Sequence, residues 1–92
     1  MNIETLLLAV VATGAGAAVE PAQEADSVRD LPVTISGITT ATVVIEGSLD
    51  GTLYEAIVSK TADAAFAVPY FPYIRANCTA WTSGAITVKI GY

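Results

Sequence analysis

The last third of the chain alternates apolar and polar side chains with a period of two. The apolar positions are Ile74, Ala76, Cys78 and Ala80. The positions between and around them carry Tyr73, Arg75, Asn77, Thr79 and Trp81. Residues 86–90 repeat the alternation, which is typical of half-buried antiparallel strands. Because Ser83-Gly84 separates the two runs, we expect a hairpin there, in a β domain with one apolar and one polar face.

Strand patterns also cover most of the middle of the chain. Residues 31–36, 40–46, 53–59 and 66–68 alternate or are dense in β-branched side chains, and the first run stops at Gly37. Asp50-Gly51 lies between two runs and predicts a hairpin turn. No run has the 3.6-residue period of a crossover helix, which argues against a parallel α/β sheet. Six or seven short strands at this spacing predict an all-β fold, a small antiparallel β-sandwich or jelly-roll-like domain.

The N-terminal segment, residues 1–19, is predicted to be an apolar arm or first strand, ahead of a β-sandwich domain in residues 20–92. Residues 6–12 are apolar but too few to span a bilayer as a helix, so no membrane is expected as a partner. A cleaved signal peptide is the alternative, although Glu4 is the only charge before the apolar run and such peptides begin with positive charge. We expect the arm to pack against its own sheet or a neighbour's.

The composition predicts a small core. The 92 residues include sixteen alanines and only seven aromatic residues. Small domains bury a low fraction of their surface, so their stability is marginal unless something is added. The single cysteine, Cys78, cannot form an internal disulfide and alternates with apolar residues, which favours a buried thiol. Burial against other chains is the remaining way to add stability, so we expect a homo-oligomer or docking on a larger assembly.

Several functional classes are not expected. The net charge is −5 and the four basic residues are scattered, which argues against nucleic acid as a partner. The chain has no histidine, no zinc motif and no glycine-rich phosphate loop, so neither a metal nor another cofactor is predicted. Acidic pairs would come from Glu46, Asp50, Glu55 and Asp63, but their spacing alone places no two across a cleft. We therefore predict that the protein is not an enzyme, and interpret residues 48–51 as a turn rather than a cation or sugar site.

Four aromatic residues lie within positions 70–81. They suggest three interpretations: a subunit contact, cover for the core, or a platform for a ligand such as a sugar. The alternation puts Arg75 on the face of Tyr73 and Trp81, and these residue types are favoured interface anchors. With the apolar arm, they make a candidate interface of Leu6, Leu7, Leu8, Val10, Val11, Tyr70, Phe71, Tyr73, Arg75 and Trp81.

Three segments resemble a family of small virion proteins of tailed bacteriophages. They are residues 12–21 (ATGAGAAVEP), residues 42–52 (TVVIEGSLDGT) and residues 72–80 (PYIRANCTA), the last followed by a glycine-led closing strand. Similar proteins usually carry a Ser-Asn-Asp-Gly-type turn and then a tryptophan. In this chain Leu49 replaces the polar turn residue, and Tyr54 stands about where that tryptophan would be.

The resemblance implies a capsid decoration, or cement, protein. Such proteins often sit as trimers on the outside of the shell and bridge neighbouring capsomers, so the implied location is the virion and the implied partners are the major capsid protein and further copies of the chain. The arm, residues 3–19, would join a neighbouring subunit or the capsid. Deleting residues 1–19 should then lower the affinity for other copies or for the capsid while leaving the sandwich folded. The alternatives are a glycan-binding sandwich module, secreted or on a phage tail or fibre, that uses Tyr73 and Trp81, and another virion component such as a head-tail or tail protein.

Overall fold

A computed structural model describes residues 3–21 and 30–92. The described residues form six strands and no helix: β1 (Ile3–Val10), β2 (Gly14–Ala15), β3 (Leu31–Ser48), β4 (Glu55–Lys60), β5 (Ala64–Val68) and β6 (Tyr73–Gly91). All pairings are antiparallel and belong to one sheet. The predicted all-β, antiparallel, sandwich-like class is therefore confirmed. In this part of the chain there is accordingly no helix long and apolar enough to cross a membrane.

Two long strands organise the sheet. β3 has 18 residues and β6 has 19. Straight strands of that length would span about 60 Å at roughly 3.3 Å per residue, whereas the longest dimension of the molecule is 42 Å. Both strands must therefore bend. The hairpin predicted at Ser83-Gly84 is wrong, because β6 runs through these residues and pairs with β3 on both sides of them. Gly37 likewise lies inside β3 rather than at its end.

The bend lies where Gly37 and Gly84 meet. Their φ angles are +86° and +117°, a region that side-chain-bearing residues rarely adopt. A Cβ on Gly84 would lie 2.4 Å from the carbonyl oxygen of Gly37, so the two backbones approach too closely for any side chain. Asp63, in the turn between β4 and β5, accepts a hydrogen bond from the backbone N–H of Ile38 at 2.8 Å. This contact ties the turn to the bend.

The bend divides the sheet into two leaves. The first leaf contains β1, the second half of β6, the first half of β3, and β5. The second leaf contains β2, the first half of β6, the second half of β3, and β4. An isolated bridge between Val19 and Ile74 extends the β2 edge. Each leaf thus has four strand segments, and the two long strands cross from one leaf to the other.

The core lines the inner faces of both leaves. It takes alternate residues of each long strand, as the period of two predicts: Leu31, Val33, Ile35, Ala41, Val43 and Ile45 from β3, and Ile74, Ala76, Cys78, Ile86, Val88 and Ile90 from β6. Ala80, predicted to share this face, is exposed instead. Cys78 is a buried free thiol, as predicted, and burial raises its pKa above the usual value.

The N-terminal segment pairs with its own chain. β1 runs along the second half of β6, from Ile3 opposite Gly91 to Val10 opposite Ile86. The register shifts between Thr5 and Leu7, which leaves Leu6 as an extra residue, and both leucines are buried in the core at 3% and 5% exposure. The expectation that the sandwich stays folded without residues 1–19 is at odds with this arrangement, because the deletion removes an edge strand and two core side chains.

Candidate interaction surfaces

The acidic side chains of the described residues do not cluster, and two of them make structural contacts. Glu46 pairs with Arg75 at 2.7 Å, and Asp63 accepts the hydrogen bond at the bend. Residues 3–21 and 30–92 contain no group of three or more cysteine, aspartate or glutamate side chains that could hold a metal ion.

The 48–54 loop, which joins β3 to β4, is held by hydrogen bonds within itself. Ser48 Oγ accepts from the N–H groups of Asp50 (3.3 Å) and Gly51 (2.9 Å), and donates to Asp50 Oδ1 (3.0 Å). The same Oδ1 accepts from the N–H groups of Thr52 (2.8 Å) and Leu53 (3.1 Å). These backbone hydrogen bonds, Thr52 first, hold the pKa of Asp50 below its usual value. The carboxylate is thus used to build the loop, as the interpretation of residues 48–51 as a turn requires.

This loop presents two exposed leucines. Leu49 and Leu53 are 77% and 76% exposed. They flank a groove of about 250 Å³ that ends on Phe71. Sequence reasoning did not select either leucine for the candidate interface. Because the loop is ordered by its own hydrogen bonds, it would lose little conformational entropy on burying the leucines against a partner.

A second exposed apolar group lies on and beside the edge strand β1. Ile3, Leu8 and Val11 are 68%, 73% and 59% exposed. Five of the ten predicted interface residues belong to this segment, but they divide: Leu8 and Val11 face solvent, Val10 packs partly against the core, and the two core leucines have almost no surface left for a partner. Among the described strands β1 pairs only with β6, so within residues 3–21 and 30–92 its other edge carries backbone groups open to pairing.

Tyr70 and Phe71 cover the core. Both are partly buried and pack against it. Phe71 lies over Gly47, where an added Cβ would be 2.6 Å from the ring, so this glycine makes room for the aromatic ring. These two members of the predicted interface serve mainly as cover for their own domain.

Arg75 is committed within its own chain. Its guanidinium group bonds Glu46 at 2.7 Å and lies 3.8 Å from the centre of the Tyr54 ring. Glu46 also lies within 3.4 Å of Asn77 Nδ2. Arg75 and Asn77 face the outer side of the second leaf with Tyr73, because they pair with outward residues of β3. The Tyr54 position noted in the sequence thus has a structural role as the partner of Arg75.

Trp81 lies on the other side of the strand from Tyr73. Cys78 pairs with Val43 and Ala80 with Thr42, so Thr79 is an extra residue in β6, a β-bulge. After the bulge, the side chains of β6 occupy the opposite faces of the sheet from those that the alternation predicts. Trp81 therefore packs against the core, opposite Ala41. The predicted common face of Tyr73, Arg75 and Trp81 is therefore wrong, and a sugar platform made by Tyr73 with Trp81 does not form.

Comparisons of the chain with protein-family models, with curated proteins and with solved structures found no match.

Proposed function

We propose that this chain is a capsid decoration protein of a tailed bacteriophage. It binds the outer surface of the shell, as a trimer, and stabilises contacts between capsomers. The observation that carries the proposal is the pair of apolar surfaces outside the core, Leu49 with Leu53 on the 48–54 loop and Ile3, Leu8 and Val11 along β1. The resemblance of residues 12–21, 42–52 and 72–80 to small virion proteins supports the same function.

The energetic argument starts from the small core. Fully burying a leucine, valine or isoleucine side chain contributes about 1.5–3 kcal/mol. Five such side chains are at least 59% exposed, so a partner that covers them adds stability that the core of a domain this small does not supply. A decoration protein has this requirement, because it must contact both its own copies and the shell.

The two surfaces suit two different contacts. We assign the β1 edge to contacts between copies, because an edge strand offers backbone hydrogen bonds as well as apolar side chains. We assign the 48–54 loop to the capsid, because its two leucines project from a loop that is already ordered. Arg75 forms an ion pair with Glu46 of its own chain, so we do not assign its charge to the capsid contact. Capsid binding is therefore expected to be mainly apolar and only weakly dependent on salt.

The test uses shells assembled from the major capsid protein encoded in the same genome. Wild-type chain is expected to cosediment with the shells and to give a trimer by native mass spectrometry. The double variant L49S/L53S should remain a trimer but lose shell binding, whereas L8S/V11S should dissociate. Each variant is the matched control for the other, since both replace two exposed apolar side chains by serine.

Failure of the wild-type chain to bind shells under any tested salt concentration would contradict the proposal. Binding to purified tails or necks instead would assign the chain to a head-tail or tail role. If both double variants bound shells like the wild type, the capsid contact would lie elsewhere and the assignment of the loop would be wrong.

A further inference from the structure

The bend of the two long strands creates a hollow on the surface of the protein. Its volume is about 280 Å³, and its lining includes Trp81 and five threonines, Thr39, Thr40, Thr42, Thr61 and Thr82. These side chains come from three places in the sequence: the middle of β3, the middle of β6 and the turn after β4. The pairing of β3 with β6 and with β4 brings them together beside the bend. We propose that this hollow is a binding site for a neutral sugar.

Apart from the indole of Trp81, the polar side chains among the lining residues are threonines. A threonine hydroxyl both donates and accepts hydrogen bonds, which matches the hydroxyl groups of a sugar. Among the described residues, none of the five threonine side chains takes part in a hydrogen bond within the protein. A threonine hydroxyl without such a bond can bond a ligand in place of water. The other described lining residues are alanines, so none of the described side chains of the hollow is charged, and the ligand that matches them carries no charge.

Trp81 supplies the apolar part of the site. Its indole Nε1 donates a hydrogen bond to the carbonyl oxygen of Gly84 at 2.9 Å, which fixes the ring relative to the bend. The C–H face of a pyranose ring is apolar and packs against aromatic surfaces, while its hydroxyls point outward. The hollow therefore offers both surfaces that a sugar ring requires, on strands that do not need to be ordered by binding.

The size of the hollow limits the ligand. Small-molecule sites typically measure roughly 300–1,000 Å³, so a hollow of about 280 Å³ suits one sugar ring rather than a long oligosaccharide. An open hollow for a single ring favours weak binding, with a dissociation constant on the order of 1 mM. The inference does not depend on the decoration function, because the hollow includes neither the 48–54 loop nor β1.

Sugar binding to the hollow can be measured by tryptophan fluorescence. Trp81 is the only tryptophan of the chain, so its fluorescence reports on the hollow directly. We would titrate the full-length protein with glucose, galactose, mannose and N-acetylglucosamine, and follow tryptophan emission and acrylamide quenching, with calorimetry on the same samples. At least one sugar should give a saturable change in emission, protect Trp81 from quenching, and bind better than glycerol at equal concentration.

Two variants distinguish the hollow from the rest of the surface. T40V/T82V removes two hydroxyls while keeping β-branched side chains of similar shape, so the strands should still form. Each lost hydrogen bond should weaken binding roughly fivefold to tenfold. The control T34V removes an exposed threonine of β3 outside the hollow and should bind like the wild type. L49S/L53S should also bind sugar normally, which separates this test from that of the proposed function.

The proposal is overturned if none of the sugars gives a saturable response, or if glycerol gives the same response as the sugars. It is also overturned if T34V and T40V/T82V lose affinity equally. Thermal melting of each variant verifies that it is folded before its affinity is compared.

Discussion

Replacing the buried Leu7 of β1 by alanine should destabilise the domain strongly, whereas replacing its exposed neighbour Leu8 by alanine should not. Leu7 is 5% exposed and packs in the core, while Leu8 is 73% exposed. Alanine in place of a buried leucine costs about 2–5 kcal/mol, because apolar contact is lost and a cavity remains. Alanine at an exposed position usually changes stability by about 0.5 kcal/mol or less.

The effect is large relative to the whole domain. A chain of 92 residues is expected to have an unfolding free energy of about 5–14 kcal/mol, from roughly 0.05–0.15 kcal/mol per residue. A loss of about 3 kcal/mol in Leu7→Ala would lower the melting temperature by about 15 °C. In urea the midpoint should fall by roughly 1–3 M, since the slope for small proteins is about 1–3 kcal/mol/M.

The assay is urea unfolding of Leu7→Ala, Leu6→Ala and Leu8→Ala, followed by circular dichroism at one protein concentration. The concentration is held constant because association would contribute to the apparent stability. Leu6→Ala should resemble Leu7→Ala, since the extra residue in β1 buries both leucines. If all three variants unfolded like the wild type, β1 would not belong to the core of its own chain. The pairing of β1 with β6 would then be refuted.

Three further predictions follow from single contacts. Gly84→Ala should lower the unfolding free energy by at least about 1–3 kcal/mol, because its Cβ would lie 2.4 Å from the Gly37 carbonyl oxygen; Gly14→Ala, also at positive φ but in open space, should cost less in the same urea assay. The depressed pKa of Asp50 means that its hydrogen bonds stabilise the loop above the ordinary pKa of 3.8 and are lost as the pH falls through the lower folded value. NMR shifts of the amides that bond Asp50 should therefore titrate below pH 3.8, and Asp50→Asn should abolish the titration. Cys78, buried with a raised pKa, should react with a thiol reagent much more slowly in the native than in the urea-unfolded protein; equal rates would contradict its burial.

Much of the core could be predicted from alternation alone. Val43, Ile45, Ile74 and Ala76 were assigned to the apolar face from their spacing, and all are buried. Prediction failed beyond Thr79, because one extra residue in β6 reverses every later assignment until another irregularity corrects it. Periodicity within one strand cannot reveal a bulge, since a bulge is defined by the partner strand.

The candidate surfaces were less predictable than the core. Residues 1–19 were predicted to be one apolar arm or first strand, yet the extra residue in β1 sends Leu6 and Leu7 inward while Leu8 faces solvent. Leu49 was assigned to a turn and Leu53 to the start of the strand run 53–59, but β4 begins only at Glu55 and both leucines lie in a loop held by hydrogen bonds to Asp50. Whether a loop side chain is exposed depends on which other residues pack over it, and those residues cannot be identified from the local sequence.

The sequence by itself determined the class of the protein and the apolar faces of its strands, because a period of two is compatible only with extended chain and a one-sided core. It also marked Gly37 and Gly84 as special positions. Only the tertiary structure decided what those glycines do. They could end strands or bend them, and the choice depends on the close approach of two backbones that are 47 residues apart in the chain. That approach makes two leaves from one sheet.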